Sequence, residues 1–165
     1  AQLKSYGELL AEDPLFAERA QRFSARVQDI AECLAQEPLR GPLGPVPQRV
    51  AYDDPCHLLH AQGIRQQPRD LLQSIPALQL VSGTDADLRC GAAGTHKISH
   101  PEVSMQILAR KMEHIAAAQP DVIATGNPGC MLQLRTGVQQ VNLHVPVVHP
   151  IELLDASCQA AASDA

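Results

Sequence analysis

Apolar positions recur at steps of three and four through the first part of the chain. Leu3, Tyr6, Leu9 and Leu10 fall on one face of a helix over residues 3–12. Asp13-Pro14 then reads as an N-cap followed by proline at the first helical position. From there Phe16, Ala20, Phe23, Val27, Ile30 and Leu34 continue the period and predict one long amphipathic helix. It ends in EPLRGPLGPVPQ (37–48), where four prolines and two glycines forbid regular structure. Beyond this linker the period changes. Short apolar runs at 49–52, 78–81, 121–125 and 146–149 read as strands. Between them lie helical stretches at 54–63 (stopped by Gly63), 67–75, 101–118 and 131–141, the last interrupted by Gly137, and a final one at 150–157. In the helix at 101–118 the expected inward positions are Val103, Ile107, Leu108, Met112 and Ile115. Strands alternating with helices predict an α/β fold, a parallel βαβ sheet of about four strands. The expected organisation is a helical segment over 1–36, a Pro/Gly linker over 37–48, the α/β domain over 49–157 and a disordered tail over 158–165.

Composition narrows the classes. Hydrophobic residues make up 45% and charged residues 19%, as in a globular protein, while aromatics are only 2%, so aliphatic side chains must fill the core. The formal charge of −5, with 13 scattered basic residues, speaks against a nucleic-acid surface. No run approaches the ~18 apolar residues of a membrane span. No export signal opens the sequence, and its start inside a helix without Met suggests a piece of a longer, cytoplasmic protein. Five cysteines, an odd and widely spread set, favour reduced thiols over a disulfide framework.

The position of those cysteines carries the chemistry. Cys56 follows the first strand, Cys90 lies in the loop after the second, Cys130 follows the third, and His149 closes the fourth. In a parallel sheet all carboxyl ends share one edge, where open α/β folds place their ligand sites. Three residues remote in sequence are therefore expected to meet, as a thiolate metal site. Cys33 is read as core packing on the long helix and Cys158 as a free thiol in the tail. Asp53 and Asp54 are expected to cap the turn at Cys56. Of the histidines, His57, His96 and His149 lie near this edge. Each is expected as a hydrogen-bonding neighbour, with His149 the best candidate for a fourth ligand.

DDPCHLLHAQGIRQQPRDLL (53–72), RCGAAGT (89–95), TGNPGCMLQL (125–134) and VVHPIELLD (147–155) resemble the second cysteine-rich (CCG) repeat of the glycolate oxidase iron–sulfur subunit. The same repeat occurs in lactate-utilisation proteins and in a heterodisulfide reductase subunit. LKSYGELL (3–10) resembles the tail of a preceding repeat. The resemblance implies an oxidoreductase subunit that takes electrons from flavin-containing glycolate oxidase subunits and passes them through an iron–sulfur cluster toward a quinone-type acceptor. It implies a cytoplasmic place, peripheral at the inner face of the membrane through the complex. Two positions depart from the family pattern. Arg89 stands where the first cysteine of a pair belongs, and Asn127 where a C-x-x-C would begin. Arg89 is expected to lower the pKa of Cys90 instead of ligating. Cys56, Cys90 and Cys130 remain as metal ligands, with His57, Arg89, His96, Asn127 and His149 as neighbours. A three-cysteine cluster, zinc with a histidine, or a metal-free module docking on the flavin subunit all stay open. The ferredoxin-type C-x-x-C-x-x-C run is absent from this sequence, so the chain is not expected to be catalytic alone.

Overall fold

The aliphatic runs after the linker form four strands, the central two of them almost wholly buried, as parallel sheets require. The structure is a computed structural model and describes residues 1–37, 39–81 and 88–163. Strands β1 (Arg49–Asp53), β2 (Gln79–Val81), β3 (Val122–Thr125) and β4 (Val147–Val148) make one parallel sheet in the order β2-β1-β3-β4. The α/β expectation is met, and the four strands lie where the pattern places them. The strand order reverses at β1: the chain steps to β2 on one side, then returns to β3 on the other. The crevice between the carboxyl ends of β1 and β3 is therefore the topological switch point, the place where such sheets bind ligands.

The chain divides into two compact units, Ala1–Pro38 and Leu39–Ala165. The first holds a 3₁₀ turn (Gln2–Ser5), α1 (Tyr6–Leu9), α2 (Ala17–Arg26) and α3 (Ile30–Gln36). The single long helix expected here is broken at Val27, which is extended. Asp29 starts a new helix, accepting from the Ala31 N–H while the Glu32 carboxylate accepts from the Asp29 N–H. This capping box outweighs the uninterrupted apolar period. Phe16, Phe23 and Ile30 are exposed and the buried residues of α2 and α3 are Ala20 and Ala31. Cys33 is exposed as well, which corrects its reading as core packing.

The second unit begins inside the expected linker. The Gly44 N–H donates to the Ser157 carbonyl, Ser157 Oγ donates to the Gly44 carbonyl, and the Val46 N–H donates to the Pro76 carbonyl. Gly44 lies so close to Ala160 and Ala161 that a Cβ would sit 2.4 Å from the Ala161 nitrogen. Residues 39–48 are thus part of the α/β unit, with Gly44 packed on its last helix. That helix, α9 (Pro150–Ser163), runs into the expected tail and carries the exposed Cys158. The run of alanines at 160–162 favours helix, and the Gly44 contact holds it down.

Between the strands lie α4 (Cys56–Leu59), α5 (Gln66–Gln73), α6 (His96–Ser99), α7 (Pro101–Ala117) and α8 (Pro128–Gln140). Leu108, Met112 and Ile115 of α7, Leu134 and Val138 of α8, and Ala51, Ile123 and Val147 of the sheet form one core with Cys90 and Cys130. The inward face of α7 is rotated from the expected one: Val103 is exposed, while Ser104 and Lys111 are buried beside Leu108 and Met112. α8 runs through Gly137 without interruption. A Cβ there would stand 2.7 Å from Met112 Sδ, so this glycine allows α7 and α8 to approach.

Candidate metal centre

Each cysteine owes its place to the element that carries it. Cys130 is the third residue of α8, a thirteen-residue helix with Asn127 as N-cap and Pro128 at its first position. Asn127 Oδ1 accepts from the Gly129 N–H at 2.6 Å and the Cys130 N–H at 3.2 Å. Asparagine is among the strongest N-caps, so this residue sets where α8 begins and where Cys130 points. Its amide nitrogen lies 2.6 Å from His57 Nδ1 and donates to it if that ring nitrogen carries the lone pair. Asn127 is therefore occupied on both ends of its amide in shaping the turn.

Cys90 sits in the loop after β2, of which residues 82–87 lie outside the described set. What fixes it is α7. Lys111 Nζ donates to the Leu88 carbonyl at 2.7 Å, and Ser104 Oγ donates to the Gly91 carbonyl at 2.8 Å. These donors are seven residues apart on one helix, two turns, and they grip the loop on both sides of Cys90. Gln133 Nε2 of α8 donates to Ser104 Oγ at 3.1 Å and ties that grip to the helix bearing Cys130. Gly91 makes the loop possible. Its φ is +83°, and a Cβ would stand 2.4 Å from the Ser104 carbonyl oxygen.

The outcome is direct contact between Cys90 and Cys130, with Sγ–Sγ 3.3 Å. Both are buried, whereas Cys56, first residue of the four-residue α4, is half-buried. Near enough for its charges to act on Cys90 is an ion pair the sequence did not announce. Lys111 Nζ is 2.7 Å from Asp53 Oδ1, with the two side chains 3% and 2% exposed. Thr125 Oγ1 donates to Asp53 Oδ2 at 3.0 Å, across the last register pair of β1 and β3. Asp53 is thus the buried end of β1 and not a cap. Asp54 is held by Arg69, whose guanidinium also lies over the Tyr52 ring at 5.1 Å from its centroid. The signal for Lys111 was available: it stands on the same helical face as Leu108, Met112 and Ile115, where a cation needs a buried partner.

The surroundings push the two thiols apart. The hydrogen bond from Cys130 lowers the Cys90 pKa against the opposing effect of burial, helped by the Ala92 N–H and the Lys111 charge. Cys130 is pushed up by the same bond, by burial, and by the charges of Cys90, Asp53 and Cys56. Deprotonation is therefore easier at Cys90 than at Cys130. The cation acting on Cys90 is Lys111; Arg89, expected in that role, is exposed.

The remaining expected neighbours separate. His149 caps α9: its N–H donates to Glu152 Oε1 at 2.7 Å and its Nδ1 accepts from the Ile151 N–H at 3.2 Å. Its Nε2 faces Gly126, 3.7 Å from where a Cβ there would be. His96 stacks on His100 with ring centroids 4.9 Å apart, and its Nδ1 is buried with no hydrogen-bond partner among the described residues.

The donor chemistry suits a soft metal or an iron–sulfur cluster, since buried sulfurs lie at a ligand-binding edge. The set is not closed, however: among the described residues no three His, Cys, Asp or Glu side chains stand together as a ready cation site. Two thiols meet, and the charge of Cys56 acts on Cys130.

A family model described as a cysteine-rich domain (CCG) matches residues 50–135. The chain is 36% identical over 156 residues to the probable glycolate oxidase iron-sulfur subunit of Bacillus subtilis, covering 92% of this chain and 35% of that protein. It is 30% identical over 157 residues to the glycolate oxidase iron-sulfur subunit of Escherichia coli, with 95% and 37% covered. Lactate utilization protein A of Geobacillus thermodenitrificans is 28% identical over 156 residues, with 94% and 65% covered. The chain thus spans about a third of the length of the first two relatives. A sheet with cysteines at its carboxyl edge, the motifs that hold them there and the match over residues 50–135 agree: the chain belongs to the cysteine-rich (CCG) domain family.

Proposed function

We propose that the α/β unit is the thiolate centre of an iron–sulfur electron-transfer subunit, working beside a flavin-containing subunit that oxidises glycolate or a related 2-hydroxy acid. The observation that carries this reading is the buried contact of Cys90 and Cys130 beside the switch point of the sheet. The relatives named as iron-sulfur subunits support it. Cys90 and Cys130 would supply two sulfurs, and Cys56, at the end of β1, is the third ligand of this proposal. A cluster held there would supply one-electron chemistry. The protein's own contribution is placement and charge. Ser104 and Lys111 hold the Cys90 loop, Asn127 aims Cys130, and Lys111 offsets negative charge gathered on sulfur while Asp53 limits that effect. Within the described residues no helix is long and apolar enough to cross a membrane, so a place at a membrane surface would come through partner subunits.

A second reading, a zinc-bound or metal-free module that docks on the flavin subunit, is favoured by one observation. Asn127 stands at a position of the family's ligand motif yet is spent on the cap of α8 and on His57. Anaerobic reconstitution followed by iron, sulfide and zinc analysis separates the two. Bound iron with acid-labile sulfide supports the first reading, and stoichiometric zinc or no metal supports the second.

A further inference from the structure

We propose that Cys90 and Cys130, in the metal-free protein, are a modification site: a buried dithiol that a peroxide converts to an intramolecular disulfide. The inference goes beyond the metal reading and does not require it. The two sulfurs are 3.3 Å apart, and a disulfide bond is about 2 Å long, so side-chain rotation alone must supply the remaining approach. Both backbones are held in advance, Cys90 by the Lys111 and Ser104 bonds on either side and Cys130 by the Asn127 cap. Little further ordering is needed to bring the sulfurs together. Cys33 and Cys158 differ, being exposed on other helices, and Cys56 is half-buried on α4.

Burial selects the oxidant. Cys90 and Cys130 are 4% and 3% exposed, which admits a molecule of the size of hydrogen peroxide and excludes a bulky disulfide such as oxidised glutathione. In the first step one sulfur takes an oxygen atom from peroxide, whose O–O bond breaks, giving a sulfenic acid and water. The neighbouring sulfur then attacks that sulfur, its proton leaves with the departing hydroxide as a second water, and the S–S bond forms. Two thiols lose two electrons and two protons, and one peroxide becomes two waters. Once the chain is unfolded, a dithiol reductant reverses the change by exchange.

The test uses the whole chain, treated with chelator, exposed to peroxide, alkylated and digested for peptide mass analysis. The expected result is loss of two hydrogens in one cross-linked peptide pair joining Cys90 to Cys130. Cys33, Cys56 and Cys158 should remain open to alkylation, and dithiothreitol should restore the original mass. The same bond should form in Cys56→Ser. Oxidised glutathione should add to Cys33 and Cys158 and leave the buried pair alkylatable after unfolding. A cross-link through any other cysteine would overturn the proposal. So would separate oxidation of Cys90 and Cys130 to sulfinic acids, or loss of the bond in Cys56→Ser. Absence of iron in a reconstituted sample would overturn the metal reading and leave this outcome intact.

Discussion

Cys56 and Cys130 occupy equivalent places in the chain, each at the start of a helix that follows a strand bordering the switch point, yet their surroundings differ. Cys130 lies in the first turn of a thirteen-residue helix with a side-chain cap, against Cys90 and within reach of the charge of the buried Asp53. Cys56 opens a four-residue helix whose N-cap, Pro55, has no side chain to offer a hydrogen bond. A strand end supplies position, but it does not by itself supply order. The order on the Cys130 side comes from the half-buried cap Asn127 and from polar residues buried beside it, Lys111, Asp53, Ser104 and Gln133.

The largest expected effect comes from breaking that support. Lys111→Met leaves the Asp53 carboxylate buried without its cation and should lower unfolding stability by about 3–5 kcal/mol in a urea titration. Adding Asp53→Asn should recover much of the loss. If Lys111→Met alone cost less than about 1 kcal/mol, the pair would not be what holds this side. Gly91→Ala meets the Ser104 carbonyl in a backbone conformation that disfavours a side chain, and should cost about 1–3 kcal/mol. Asn127→Ala should cost about 1 kcal/mol through the lost cap. It should also speed alkylation of Cys130 in the native protein, and an unchanged rate would show that the cap does not hold the thiol. The smallest effect belongs to Cys56→Ala. At this half-exposed site the change should stay within about 0.5 kcal/mol, below that of Cys130→Ala at the buried one.

Much of this unit was legible in the sequence. Aliphatic runs punctuated by glycine and proline gave four strands in their places, and strand ends located Cys56, Cys90 and Cys130 on one edge. Where the reading failed, a local hydrogen bond outweighed a period. Asp29 and Glu32 cut the long helix, and Gly44 with Ser157 drew the linker and the tail into the fold. Lys111 was missed for another reason. A charged residue on an apolar helical face shows that a buried partner is needed, but the partner, Asp53, is 58 residues away and only the sheet brings it near. His149 is a hydrogen-bonding residue, as expected, but its partner, the Ile151 N–H at the start of α9, was not legible from its place near the edge.

The central claim, that sulfurs gathered at this edge form a metal centre, is tested most directly by anaerobic iron–sulfide reconstitution read by metal analysis and EPR. The account predicts bound iron and acid-labile sulfide in the native sequence and in Cys33→Ser/Cys158→Ser, and their loss in Cys90→Ser and Cys130→Ser variants that keep native circular dichroism. A folded native protein that stays colourless, iron-free and EPR-silent after reconstitution would contradict it.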